Sequence, residues 1–252
     1  MADGRYRSGV NMDAIRQAKI DLAAALRLSA RFGFNEGVCN HFSLAVPGLE
    51  DRYLLNPHGI HWSMIGASDI LLVDGQGRTL EGQTQAELTA FTIHGRVHAR
   101  HRRATCILHT HMPYATALTC LEDGRLEPVN QNSLRFYGDV AYDPDYNGLA
   151  EDAAEGDRIA EALGEKRVLF LGNHGVLVVG PSIAQAFDDL YYLEQACRVQ
   201  VLAMSTGRPL KRVTDNVAAS TKAEMDGGGT YAQAHFDALK RLLDAEDPGY
   251  AV

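Results

Sequence analysis

The sequence predicts an α/β protein whose sheet is mixed or antiparallel and covered by helices. Three observations carry this. Segments with a helical apolar period and short strand-like runs interleave along the chain, the pattern of an α/β fold. Several strands follow one another through tight turns such as Gly75-Gln76-Gly77, which suits antiparallel neighbours. No Gly-x-Gly-x-x-Gly follows a strand, so a doubly wound parallel sheet holding a dinucleotide is not indicated.

Taken in order, residues Asn11 to Phe32 repeat apolar side chains at Ile15, Ile20, Leu22, Ala25, Leu26 and Leu28. This predicts a helix, stopped by Gly33. From Phe34 to Gly48 a loop gives way to a strand, and Tyr53 to Asn56 is a short strand ending in a turn. Trp62 to Ala67 reads as loop, and Ile70 to Asp74 as a buried strand. Thr84, with Glu87 three residues on, predicts a capping box opening a helix to Ala99. Thr105 to Thr110 is a strand, and Ala115 to Thr119 begins another helix. Residues 130–147 read as a long irregular loop, which in a compact domain is functional or an interface. Asp152 to Leu163 is a helix ended by Gly164. Val168 to Leu171 and Val176 to Val179 are strands, and Ile183 to Ser205 is a long helix capped by Ser182. Beyond Arg208 the chain is polar, with a flexible break at Asp226 to Gly229 and a last helix from His235 to Leu243. Residues 1–210 are expected to form the main domain. Residues 211–252 form a tail that belongs to it or makes an oligomer contact.

The chain has 252 residues, 46% of them hydrophobic and 22% charged, enough for a real core without disorder. Its net charge of −8 argues against a nucleic-acid surface. No apolar stretch reaches the length of a membrane span, and Met1 to Arg7 lacks the apolar region of a secretory signal. The four cysteines form no Cys-x-x-Cys pair and read as reduced thiols of a cytoplasmic protein. Of these, Cys39 is either reactive or buried as a small apolar residue. No P-loop and no Gly-x-Ser-x-Gly elbow occurs.

The chemistry concentrates in histidines. His109 and His111 lie two apart in Cys106-Ile107-Leu108-His109-Thr110-His111. A strand has a side-chain period of two, so both project from one face. Two neutral imidazoles can grip one metal ion. A third candidate, His174 in Asn173-His174-Gly175, follows the apolar run 168–171. His41 and His58, in loops, either bind a carboxylate when protonated or satisfy backbone groups. His94, His98 and His101 read as helix-face residues, with His94 packing helix to sheet. Asn173 either orients His174, meets substrate or serves the turn.

Here the chain resembles the class II aldolase/adducin head-domain family, in its bacterial adducin-like branch. The resemblance rests on an ordered set. It contains Asn35-Glu36-Gly37 with Asn40-His41-Phe42-Ser43, Leu55-Asn56-Pro57-His58-Gly59, Phe91-Thr92-Ile93-His94, His109-Thr110-His111 and Asn173-His174-Gly175. Leu134-Arg135-Phe136-Tyr137-Gly138 and 189–194 complete it. The resemblance implies a three-layer α/β/α domain around a mixed, largely antiparallel sheet, and a homotetramer with sites between subunits. It also implies one divalent metal per subunit, zinc with manganese or iron as options, held by His109, His111 and His174. Substrate binding would fall to Asn40, His41, Ser43, Asn56, His58 and Asn173. The related sugar-phosphate aldolases carry a glutamate where this chain has Ala90; Glu87, one turn earlier, is a candidate to replace it, or is only a cap. Tyr137 matches a tyrosine supplied by a neighbouring subunit and is the candidate proton donor, or else a packed loop residue. Glu36 would repel a phosphate, which argues against a phosphosugar.

The expected function is a metal-dependent lyase. It would cleave a carbon–carbon bond in a small hydroxy or keto acid or hydroxycarbonyl compound, by retro-aldol reaction or decarboxylation through an enolate. The alternatives are an iron-dependent oxygenase on the same scaffold and a non-catalytic adducin-like interaction module.

Overall fold

The computed structural model describes residues 11–148, 153–227 and 230–252. Its strands are β1 (His41–Ala45), β2 (Arg52–Leu55), β3 (Leu71–Asp74), β4 (Thr79–Glu81), β5 (Cys106–Thr110), β6 (Val140–Asp143), β7 (Val168–Leu171) and β8 (Gly175–Gly180). They form one sheet in the order β4-β3-β2-β1-β5-β8-β7-β6. All pairs are antiparallel except β6 with β7, so the sheet is mixed and largely antiparallel. The helices are α1 (Met12–Phe32), α2 (Leu88–Arg100), α3 (Pro113–Thr119), α4 (Gln131–Leu134), α5 (Ala153–Leu163), α6 (Ile183–Met204), α7 (Asp215–Asp226) and α8 (Tyr231–Glu246).

Period-two alternation splits the central strands between two cores. Cys106 and Leu108 of β5, Val176 and Val178 of β8, and Val168 and Phe170 of β7 pack with α1 and α6. Their neighbours Ile107, Leu177, Val179, Leu169 and Leu171 pack with Ile93 and Val97 of α2 and Ile159 and Leu163 of α5. Helices therefore cover both faces, which gives three layers. A sheet buried on both sides needs nearly continuous apolar strands, and these are.

α1 starts where Asn11 Oδ1 accepts from the amides of Asp13 (3.0 Å) and Ala14 (3.2 Å) and ends at Gly33, which adopts φ 72°. α6 is capped by Ser182, whose Oγ accepts from Gln185 N at 3.2 Å. From inside α6, the buried Glu194 carboxylate accepts from the amides of Tyr114 (2.8 Å) and Ala115 (2.9 Å). This satisfies the first amides of α3 and fixes the turn that carries His111.

Several boundaries differ from the sequence reading. α2 begins at Leu88, not Thr84, and Glu87 is its N-cap without a side-chain cap bond. The expected capping box does not form, because Ala86 N is tied to Thr79 Oγ1 (3.0 Å) and the segment stays with β4. The supposed irregular stretch 130–147 holds α4 and β6; β6 is four residues long, too short for periodicity to reveal. Short 3₁₀ turns occupy Trp62–Met64 and Ala67–Asp69, where loop was expected. The tail contains α7, which was not foreseen, and α8 extends beyond His235–Leu243 at both ends. Phe236, Leu243 and Tyr250 of that tail lie in the larger core. The signal-peptide reading at Met1 to Arg7, the helix start at Asp152 and the break at 228–229 lie outside the described residues. No helix among the described residues is long and apolar enough to cross a membrane.

Candidate metal centre

Antiparallel pairing brings the start of β1, the end of β2, the end of β5 and the start of β8 to one end of the sheet. The three histidines meet there. His109, near the end of β5, lies opposite His41 in register, and His111 follows it on the same face. His174 lies in the turn between β7 and β8, after Asn173, which holds a left-handed φ of 54°, a conformation Asn tolerates. A Cβ at Gly175 would fall 2.5 Å from Thr110 O and 2.7 Å from His111 Cδ2. Glycine at that position is what lets the turn close on the second histidine. One ring nitrogen from each of His109, His111 and His174 lies within 4.8 Å of the others.

Hydrogen bonds select the tautomers. His109 Nδ1–H donates to Val176 O (3.0 Å), and His111 Nδ1–H donates to Glu36 Oε2 (2.5 Å). In each neutral ring Nε2 is then a bare lone pair. His111 Nε2 is buried and has no hydrogen-bond partner, an expensive condition for a polar atom unless something else binds it. Burial first, then repulsion among the rings, holds His109 far below the ordinary imidazole range. Burial and His111 push His174 down to about 4 against the pull of Glu36 and Glu155. Three imidazole nitrogens, two of them on rings oriented by carbonyl and carboxylate partners, are a donor set that fits a divalent ion with open positions.

The trio opens onto a cleft of about 240 Å³, also lined by Asn40, His41, Asn56, His58 and Glu87. Asn40, at φ 73°, accepts from His111 N through Oδ1 (3.4 Å). Asn56 Oδ1 accepts from Phe42 N (2.8 Å), so its side chain ties β1 to the loop after β2. His58 is exposed. His41, 8% exposed, stacks on His109 with centroids 5.0 Å apart, and Glu87 Oε2 lies 3.9 Å from His41 Nε2. Ala90 also lines the cleft.

Three further candidates do not line it. Ser43 is buried behind the cleft and bonded to His94 and His98. Asn173 is exposed, its amide donating to Thr119 O (2.9 Å). Tyr137 is hydrogen-bonded to Asp215, which pushes its phenol up.

Sequence reasoning missed three roles. Glu36, read only as a repeller of phosphate, orients His111. His94 and His98, read as packing residues, are hydrogen-bonded through Ser43. The signal was present: His41 and Ser43 are two apart on a strand, and His94 and His98 four apart on a helix, so each pair shares a face. Cys39 is exposed at the cleft, not buried.

Comparison with known proteins agrees with this architecture. Residues 20–201 match the family model described as Class II Aldolase and Adducin N-terminal domain. A candidate aldolase class 2 protein of Caulobacter vibrioides is 36% identical, with all of both chains covered. The decarboxylase NovR of Streptomyces niveus is 32% identical over 88% of this chain and 84% of its own. The L-fuculose 1-phosphate aldolase of Glaciozyma antarctica superposes with a TM-score of 0.83, at 29% identity over 97% of this chain and 96% of that one. Fold, match and ordered motifs agree: the chain belongs to the class II aldolase and adducin family.

Proposed function

We propose that the protein is a divalent-metal-dependent lyase that breaks a carbon–carbon bond in a small hydroxy or keto acid or hydroxycarbonyl compound. The observation that carries this reading is the convergence of three imidazole nitrogens within 4.8 Å, one of them buried without a partner. An ion held by His109, His111 and His174, zinc or else manganese or iron, would supply an electrophilic centre for the oxygen on which charge collects as the bond breaks. Retro-aldol cleavage and decarboxylation share that demand. The named reactions of the fuculose-phosphate aldolase and of NovR support both. The cleft volume of about 240 Å³ suits a molecule of a few carbons.

The chain's own groups divide the remaining work. Glu87 takes the place of the glutamate that Ala90 lacks, moving a proton at the edge of the cleft. Asn40 and Asn56 hold the loops that shape the pocket, and His58 and Asn173 meet substrate at its mouth. Tyr137, outside the cleft of its own chain, serves the cleft of a neighbouring subunit in a homotetramer. Residues 211–252, whose apolar side chains enter the core of residues 1–210, belong to the same domain.

The test is metal analysis of protein purified without chelator. Anaerobic incubation with zinc, manganese or iron and a panel of hydroxy and keto acids then follows carbon dioxide and aldehyde separately. About one ion per chain and anaerobic turnover are expected. Turnover absent anaerobically but present in air with iron, with oxygen uptake, would favour an oxygenase. Absence of metal and turnover would favour a binding module.

A further inference from the structure

Behind the cleft runs a line of hydrogen bonds that the lyase reading does not use. His98 Nδ1 lies 2.6 Å from Ala104 O, and His98 Nε2 lies 2.7 Å from Ser43 Oγ. Ser43 Oγ is 2.6 Å from His94 Nδ1, and His94 Nε2 is 3.0 Å from His41 Nδ1. The rings belong to two elements, β1 and α2, packed face to face.

One end of this line fixes its direction. A carbonyl oxygen only accepts, so His98 Nδ1 carries a hydrogen. His98 is covered by Tyr53, stacked at 4.6 Å, and burial pushes its pKa down to about 4. It is neutral, so its Nε2 is bare and the Ser43 hydroxyl donates to it. Ser43 Oγ must then accept from His94 Nδ1–H. His94 is 1% exposed, and its neighbours along the line are Ser43 and His41, neither an anion. A second proton on it would be a buried charge without compensation. Its Nε2 is therefore bare and accepts from His41 Nδ1–H. His41 ends the line with Nε2, the atom 3.9 Å from Glu87 Oε2.

We propose that the line Ala104–His98–Ser43–His94 locks His41 in the Nδ1–H tautomer and turns a bare Nε2 to the cleft. His41 is thereby the acceptor that selects a substrate bearing a hydroxyl. Ser43, His94 and His98 are positioning residues that never touch the substrate. The polarity is opposite to the one a carboxylate would need, so the substrate's acid group is not held by His41. The tautomer claim stands apart from the lyase reading; the claim on substrate choice rests on it.

The test uses the full chain labelled with ¹⁵N-histidine and stripped of metal. Long-range ¹H–¹⁵N spectra show which ring nitrogen carries the hydrogen, and His41→Gln identifies the signals. Expected is a protonated Nδ1 and an unprotonated Nε2 on His41. In Ser43→Ala the line is cut, and a share of His41 moves to the Nε2–H form; Ser43→Thr keeps the hydroxyl and the original pattern. A protonated Nε2 on wild-type His41 would overturn the proposal, as would an unchanged pattern in folded Ser43→Ala. If Ser43→Ala does not fold, the wild-type spectrum decides alone.

The second arm uses zinc-loaded protein and titration calorimetry with glycolate and methoxyacetate, in which a methyl group replaces the hydroxyl hydrogen. A preference for glycolate of about tenfold is expected, falling towards unity in Ser43→Ala with zinc content unchanged. Equal binding of the two by wild type would overturn the selection claim. Failure to bind zinc, manganese or iron would defeat the lyase reading and leave the tautomer result standing.

Discussion

Arg167, at the start of β7, lies 2.6 Å from Asp139 and 3.2 Å from Asp189. Beside it Arg135 meets Asp188 at 2.7 Å, and Asp188 also accepts from His235 at 2.8 Å. At the opposite end of the sheet, His109, His111 and His174 face one another; Glu36 meets His111 Nδ1, while His111 Nε2 is left unpaired. Both clusters are polar and largely buried, yet they are finished differently. In the first, burial opposes the Arg167 charge, but Asp189 and Asp139 outweigh it and raise its pKa. In the second, burial holds His109 and His174 below the ordinary imidazole range, and no protein group meets Nε2 of His111. A polar cluster whose members satisfy one another belongs to the fold; one that needs an outside partner belongs to function.

That contrast can be broken by substitution at either end. The largest effect expected is from His109→Ala, which leaves two ligands. Metal should fall from about one ion per chain to near zero with the fold retained, read by elemental analysis and circular dichroism. Stoichiometric metal in this variant would end the assignment. Next, Arg167→Ala leaves the buried Asp189 without its cation and Asp139 with only Arg103 and Lys222 nearby, and should cost about 3–5 kcal/mol in urea unfolding, while metal content stays unchanged. Loss of metal there would show that the two clusters are one.

Acidification comes third. His98 has an ordinary pKa of 6.5 and a folded value of about 4. As pH falls from the first value towards the second, the unfolded chain binds a proton and the folded one does not. Stability is therefore lost over that window, by up to about 3 kcal/mol from this group alone. Urea midpoints of the metal-free protein between pH 7 and pH 4 check the sign; greater stability at the acid end would refute it. The smallest effect sharpens the contrast within the metal cluster. Glu36→Gln weakens the partner of His111 Nδ1 and should lower zinc affinity by about 10–100-fold without removing the site, measured by competition with a chelating dye.

Much of this was readable in the residues. His109 and His111 are two apart on a strand, so their shared face followed from the pleat. Gly33 and Ser182 marked helix ends because capping is local chemistry. Glu87 was drawn into a helix with Thr84 because a capping box looks local, yet Thr79 Oγ1, five residues earlier than Thr84, claimed Ala86 instead. β6 escaped notice because four residues carry little period, and its partner β7 lies far along the chain. The link from Glu36 to His111 and the line from His41 to His98 join side chains 50 or more positions apart; spacing shows that each pair shares a face, not that the two faces meet.

By itself the sequence determined the type of the longer elements, their apolar faces and the candidate trio of imidazoles, since these depend on periodicity and side-chain chemistry within a few residues. The tertiary structure alone decided which ring nitrogens are bare, that Cys39 faces the cleft and that Ser43 works behind it. Those outcomes depend on where hydrogen-bond acceptors from distant strands and loops come to rest, and only folding brings them together.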